Sequence, residues 1–177
     1  MGGLTAGAGK FVPKGGRSSL SCPVGNSFLP GTAVVMADGG LLPIEDVEVG
    51  DQVLATDPET GVQGPRTVMA TIVGDGDKQL VDVTAAGATV TATDGHPFWV
   101  VDLDSDQGGT WVDAHELQPG DLLLASNGQQ VAVTAVAAYQ ATATVHNLTI
   151  DDIHTYLCVP VKSQHLYTTA GLVRSRN

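Results

Sequence analysis

The sequence predicts an all-β fold. Short runs rich in Val, Thr and Leu recur along the chain from Ser27 onward. The runs end at clusters of Gly, Asp, Pro and Asn, the residues that tight turns require. No long stretch repeats its apolar residues at the 3.6-residue spacing of a buried helix face. Many short strands separated by such turns belong to the all-β class.

Residues 1–21 are rich in Gly, Ser and Lys and read as a flexible lead-in. The first strand is expected at Thr32–Met36, ending at Asp38-Gly39-Gly40. A second, Gln52–Thr56, ends at Asp57-Pro58-Glu59-Thr60-Gly61, and a third, Thr67–Val73, at Gly74-Asp75-Gly76-Asp77. Leu80–Thr84, Thr89–Thr93, Phe98–Val101, Leu122–Ala125, Val131–Val136 and Thr142–Ile150 follow. In the last run, strict alternation turns Val145, Asn147 and Thr149 one way and His146, Leu148 and Ile150 the other.

The chain echoes itself. Residues 44–55 read IEDVEVGDQVLA and residues 114–125 read AHELQPGDLLLA. Further strands follow each copy, and then a His stands two residues before an aromatic, at His96-Pro97-Phe98 and His154-Thr155-Tyr156. Two related β subdomains would bring one histidine from each toward a pseudo-two-fold axis. Independent Gly-Asp turns are the alternative.

Composition narrows the function. The 177 residues suit one domain with flexible ends, and 42% hydrophobic residues suffice for a core. Charged residues make up only 15%, and the net charge is -11 with eight basic residues, most of them near the two ends. Neither nucleic acid nor an anionic membrane is an expected partner. No apolar run nears the ~20 residues that span a bilayer, and none follows Lys10, Lys14 and Arg17 to make a signal peptide. Cys22 and Cys158 make no disulfide framework, and the five histidines show no zinc spacing, so no metal is expected. Asp102, Asp104 and Asp106 alternate like a calcium loop but lack its later Glu, which favours a solvated loop. Trp99 and Trp111 read as core aromatics, and His115 and His165 as surface residues.

Four segments, taken in order, point to a chemistry. They are NSFLPGTAV (26–34), DGGLLPIEDVEVGDQVLATDPETG (38–61), TATDGHPFWV (91–100) and VHNLTIDDIHTY (145–156). Together they resemble the Hint superfamily of hedgehog autoprocessing domains, inteins and bacterial intein-like domains. The nearest likeness is to pretoxin Hint domains of bacterial polymorphic toxins, including those with RHS repeats. The resemblance places the Hint domain at 22–157 and leaves 158–177 as a divergent C-terminal tail. It implies the disc-like Hint fold with pseudo-two-fold symmetry of two β subdomains.

It also implies self-processing without a cofactor. A hydroxyl or thiol at the first Hint position attacks the carbonyl before it, turning an amide into an ester or thioester. Thr93 and His96 fill the Thr-x-x-His motif: His96 hydrogen-bonds the scissile amide nitrogen and protonates it as it leaves, and Thr93 helps hold the peptide and the developing oxyanion. A near-neutral pKa suits His to this. Nucleophile and target adjoin in the chain, and such positioning is worth about 7–11 kcal/mol. The register from Gly31-Thr32 points to Ser27 as nucleophile, attacking Asn26. Cys22 is the better nucleophile chemically but lies five residues upstream, off the register; it is the alternative, or a partner for Cys158. His154 matches the histidine of a later motif that assists C-terminal cleavage. Asn147 stands where many inteins carry an Asp, which leaves hydrogen bonding as its role.

The tail departs from the family. Such domains end in an apolar strand followed by His-Asn, whose Asn cyclises. Here Gly171-Leu172-Val173 could stand for that strand, but Arg176 precedes the terminal Asn177 and nothing follows it in this sequence. Replacement of the usual last strand is favoured over divergence, so N-terminal cleavage is the more defensible activity and splicing is doubtful. The expected partner is the chain's own flanking polypeptide, such as a toxin module, in a secreted or cell-surface bacterial protein, with the domain itself monomeric. A degenerate, non-catalytic Hint scaffold between secretion and toxin modules is the competing function. A hydrolase acting on other molecules lacks an ordered nucleophile–His–acid set.

Overall fold

The computed structural model describes residues 26–102, 104, 108–152, 154–159 and 171–174. Cys22, Asp106, His165, Arg176 and Asn177 lie outside the described residues. Thirteen strands are formed: β1 (Ala33–Val35), β2 (Leu41–Pro43), β3 (Gln52–Thr56), β4 (Gln63–Gly74), β5 (Asp77–Ala85), β6 (Ala88–Thr93), β7 (Pro97–Val101), β8 (Gly109–Asp113), β9 (Leu122–Leu124), β10 (Gln130–Thr142), β11 (Val145–Ile150), β12 (Thr155–Val159) and β13 (Gly171–Arg174). Single 3-10 turns occupy Ile44–Asp46 and Ala114–Glu116.

One sheet runs β2-β1-β12-β13-β7-β9-β10-β5-β6, with β8 added on β7; a second runs β11-β4-β3. Single residues join the two. Phe28 pairs with Ala92 of β6 and with His146 of β11, and Met36, just after β1, pairs with Val53 of β3. The hydrogen-bonded strands therefore close on themselves, which protects edges that would otherwise stand open.

The echo is a structural repeat. Glu48 N–H donates to Asp51 Oδ2 at 2.9 Å, and Gln118 N–H to Asp121 Oδ2 at 2.8 Å. Gly50 and Gly120 take φ values of 100° and 106°, open to glycine at little cost. Gly50 N–H and Gly120 N–H then meet the Val68 and Val133 carbonyls at 2.9 and 2.8 Å. Beyond these turns the halves exchange strands: β4 of the first pairs with β11 of the second, and β10 of the second pairs with β5 of the first. This is the pseudo-two-fold symmetry expected from the echo in the sequence.

Several strands differ from expectation. β2 is short, ends in Pro43 and lies at the sheet edge, where proline is tolerated. β8 begins at Gly109, which packs against Trp99; a Cβ there would lie 2.4 Å from the Val100 carbonyl oxygen. β10 continues past Val136 through Ala137, Ala138, Gln140 and Ala141, held by its register with β5 rather than by local propensity. In β11 the strict alternation fails. Val145, Asn147, Leu148 and Ile150 are all buried, because the strand is covered on both faces and its pairing shifts between Thr149 and Ile150. β12 extends past residue 157 to Val159, and β13 lies between β12 and β7. Residues 171–174 of the tail are thus part of the sheet.

Two apolar clusters fill the interior. The larger includes Phe28, Val34, Val53, Phe98, Leu148 and Tyr156. The smaller, built on Ala33, Val35, Trp99, Leu157 and Val159, uses the other faces of β1, β7 and β12.

Candidate active site

The centre forms where residues 26–29 pass between β6 and β11. Phe28 exchanges backbone hydrogen bonds with His146 at 2.8 Å in both directions, and Leu29 N–H reaches the Thr91 carbonyl at 3.3 Å. Thr93 N–H donates to the Ser27 carbonyl at 2.8 Å. These bonds lock the short segment as a strand, and Phe28, fully buried, wedges it into the core.

The peptide bond between Asn26 and Ser27 is held at both ends. On the nitrogen side, Ser27 N–H donates to Thr93 Oγ1 at 2.9 Å. On the oxygen side, Asn147 Nδ2 donates to the Asn26 carbonyl. Asn147 Oδ1 accepts from Leu148 N–H at 2.7 Å and from the Tyr156 hydroxyl at 2.9 Å. An acceptor at the nitrogen favours positive charge there, and a donor at the oxygen favours negative charge. That is the sense in which charge separates when the carbonyl carbon is attacked and the nitrogen is protonated.

His96 sits on the turn that follows β6. Its N–H donates to the Thr93 carbonyl at 3.0 Å and its carbonyl accepts from Ala114 N–H at 2.8 Å. Its ring lies against Phe28, centroids 4.2 Å apart, and against Phe98 at 5.6 Å. Burial in this apolar box lowers its pKa to about 3, so the imidazole is neutral near pH 7. Neither ring nitrogen has a hydrogen-bond partner among the described residues, and neither does the buried Ser27 Oγ. Each such orphan costs roughly 1–3 kcal/mol. The three lie beside a peptide bond that is held at both its nitrogen and its oxygen.

His154, just before β12, takes a left-handed conformation, φ 50°, with its Nδ1 buried and without a partner among the described residues. The surrounding loop is pinned to β3 and β4. Asp151 N–H meets the Thr67 carbonyl at 3.0 Å, Arg66 Nε lies 3.6 Å from Asp152, and Thr155 Oγ1 donates to the Thr56 carbonyl at 2.7 Å. Ser27, Thr93, His96 and Asn147 are brought together around Phe28 and the bond before Ser27. His154 lies two residues before Tyr156, whose hydroxyl donates to Asn147.

Two further side chains brace the turns that carry the centre, and the repeat makes them equivalent. Glu45 accepts Gly31 N–H with both carboxylate oxygens, at 2.9 and 2.7 Å. His115, one repeat later, contacts the Asp94 carbonyl through Nδ1 at 2.9 Å, and its backbone N–H donates to the same oxygen at 3.0 Å. That backbone contact raises the His115 pKa. His115 is exposed, as expected, yet it ties down the Thr93–His96 turn. The alignment of residues 44–55 with 114–125 was the signal for this pair; Tyr156 had none beyond its place after His154.

Cys158 is buried in β12, and burial pushes its thiol pKa well up, which keeps it protonated and unreactive. Among the described residues no cluster of His, Cys, Asp or Glu could hold a metal ion. Asp102 spends its carboxylate on Asp104 N–H at 3.0 Å, as a loop-closing turn does. No helix among the described residues is long and apolar enough to cross a membrane.

The family model of the pretoxin HINT domain matches residues 34–172. The chain belongs to the pretoxin HINT domain family. The match takes in Thr93, His96, Asn147 and His154 and begins after Ser27. This HINT domain is similar to the solution structure of a bacterial intein-like domain from Clostridium thermocellum. The two share 33% identity over 85% of this chain and 99% of that one, with a TM-score of 0.72. A DnaB intein from Synechocystis sp. PCC 6803 shares the fold at 16% identity, over 85% of this chain and 99% of that one, with a TM-score of 0.66. The TvoVMA intein does so at 17% identity, over 84% and 97%, with a TM-score of 0.67. No curated protein matches the chain.

Proposed function

We propose that this HINT domain cuts its own backbone between Asn26 and Ser27 by an N–O acyl shift. The observation that carries the reading is the grip on that one peptide bond, with Thr93 Oγ1 on its nitrogen and Asn147 Nδ2 on its oxygen. Ser27 Oγ attacks the Asn26 carbonyl carbon. Neutral His96 takes the hydroxyl proton and passes it to the Ser27 nitrogen as the C–N bond breaks. The product is an Asn26–Ser27 ester and a free Ser27 amine, which water or another nucleophile then separates. Burial keeps the His96 imidazole neutral near pH 7, so it takes the serine proton before it gives one to the nitrogen. The reaction is a single turnover and needs no cofactor.

The substrate is the domain's own flanking polypeptide, with a toxin module as the natural cargo in a secreted or cell-surface protein. Splicing is not part of the proposal, because Arg176 stands before Asn177 where the family pattern has His. One observation favours a degenerate scaffold instead: Ser27 Oγ and both His96 nitrogens lack partners among the described residues, so nucleophile and base are not engaged with each other at rest.

Variants separate the readings. With a native-like upstream extension, Ser27→Ala should abolish a cleavage that Cys22→Ser leaves intact, read by intact mass. Loss of cleavage with Cys22→Ser and its survival in Ser27→Ala would move the nucleophile to Cys22. Silence in the parent chain supports the scaffold.

A further inference from the structure

Asn147 can aim a donor at the Asn26 oxygen only if its amide is held the right way round. Its carboxamide has an accepting oxygen and a donating nitrogen of nearly the same shape. Leu148 N–H, which can only donate, decides the orientation by facing Oδ1 at 2.7 Å. The Tyr156 hydroxyl takes the second lone pair of the same oxygen at 2.9 Å. With both lone pairs filled, the amide cannot flip without setting donor against donor. Donation into Oδ1 also polarises the amide and strengthens Nδ2–H as a donor, since chained hydrogen bonds reinforce one another.

Tyr156 touches the same segment a second time. Its ring packs edge-on against Phe28, centroids 6.4 Å apart, directly after Ser27. The side chain is fully buried, and burial pushes the phenol pKa well up, so the hydroxyl keeps its proton and stays a donor. A buried Tyr ordinarily finds one partner for its hydroxyl, and a backbone carbonyl would do. Here the hydroxyl donates to the side chain that touches the reacting carbonyl, while the Leu148 backbone N–H also reaches the phenol oxygen.

We infer that Tyr156 is a positioning residue for backbone cleavage, acting through Asn147 on the Asn26 carbonyl oxygen. The inference rests on the acyl-shift reading above. It extends the centre to β12 by way of the Asn147 side chain.

The test compares cleavage before Ser27 in four forms of the full chain with its upstream extension: parent, Tyr156→Phe, Asn147→Ala and the double variant. Tyr156→Phe keeps every ring atom, so the contact with Phe28 and the fold are retained, as near-ultraviolet circular dichroism should confirm. Loss of one hydrogen bond to Asn147 should slow cleavage about tenfold. Loss of the oxyanion donor itself should slow it about a hundredfold or more. The double variant should be no slower than Asn147→Ala alone, because Tyr156 then has nothing to position. A Tyr156→Phe rate equal to the parent, or equal slowing in both backgrounds, overturns the inference and leaves the acyl shift standing. A parent that does not cleave overturns both. A second readout needs no turnover: the Asn147 side-chain NH2 resonances should move and exchange faster with solvent in Tyr156→Phe. Unchanged resonances also count against the inference.

Discussion

At His96, burial and chemistry pull in opposite directions. The ring is enclosed by Phe28 and Phe98, and desolvation holds its pKa near 3. An unfolded histidine titrates near 6.5. As pH falls below 6.5 the unfolded chain takes up a proton that the folded chain refuses. His96 therefore contributes stability that is full above pH 6.5 and is lost as pH falls toward 3. The slope approaches about 1.4 kcal/mol per pH unit. His96→Gln should remove this slope. Denaturant unfolding of both proteins between pH 7 and 5, above most carboxylate titrations, should show the parent losing stability relative to the variant. Parallel curves would mean that His96 is solvated or paired in solution.

At the scale of the elements, the repeat places matching braces at matching positions. Asp51 and Asp121 close the turns before β3 and β9, and Glu45 and His115 hold the turns before β1 and β7. Asp51→Ala and Asp121→Ala each remove one side-chain-to-backbone hydrogen bond and should each cost about 0.5–1.5 kcal/mol in urea unfolding. The two costs should agree to within a few tenths of a kcal/mol and should add in the double variant. Unequal costs would show that one half carries the fold. These turns were legible in the sequence because Gly-Asp signals are local. So were the strands whose residues favour β structure, such as Gln52–Thr56, which forms as expected. β2 was not, because a short edge strand ending in Pro43 carries little propensity signal; β8 is missing from the expected strands although Thr110, Trp111 and Val112 favour β structure. The far half of β10 is set by its partner β5, across more than forty residues of sequence, which no local pattern encodes.

For the whole molecule, closure of the strands through Phe28 is what builds the centre. That residue joins β6 to β11, so the bond before Ser27 lies between Thr93 from one and Asn147 from the other. Spacing made Thr93 and His96 candidates, and the register with Gly31-Thr32 made Ser27 one; the fold brings the three together. The sequence could not show that Asn147 faces the Asn26 oxygen, because the alternation expected for β11 breaks where the strand is buried on both faces. It left open whether Gly171-Leu172-Val173 forms a last strand; residues 171–174 do return to the sheet beside β12. The proposed exchange of an amide for an ester at residue 27 is thus placed where the strands close on one another.

The most direct measurement is to trap that ester. The chain with its upstream extension is treated with hydroxylamine at neutral pH and analysed by intact mass, with Ser27→Ala alongside to discount direct attack at Asn127-Gly128. The account predicts two fragments, one ending in an Asn26 hydroxamate and one beginning at Ser27, both missing from the variant. A single intact mass in the parent, or the same fragments from Ser27→Ala, would contradict it.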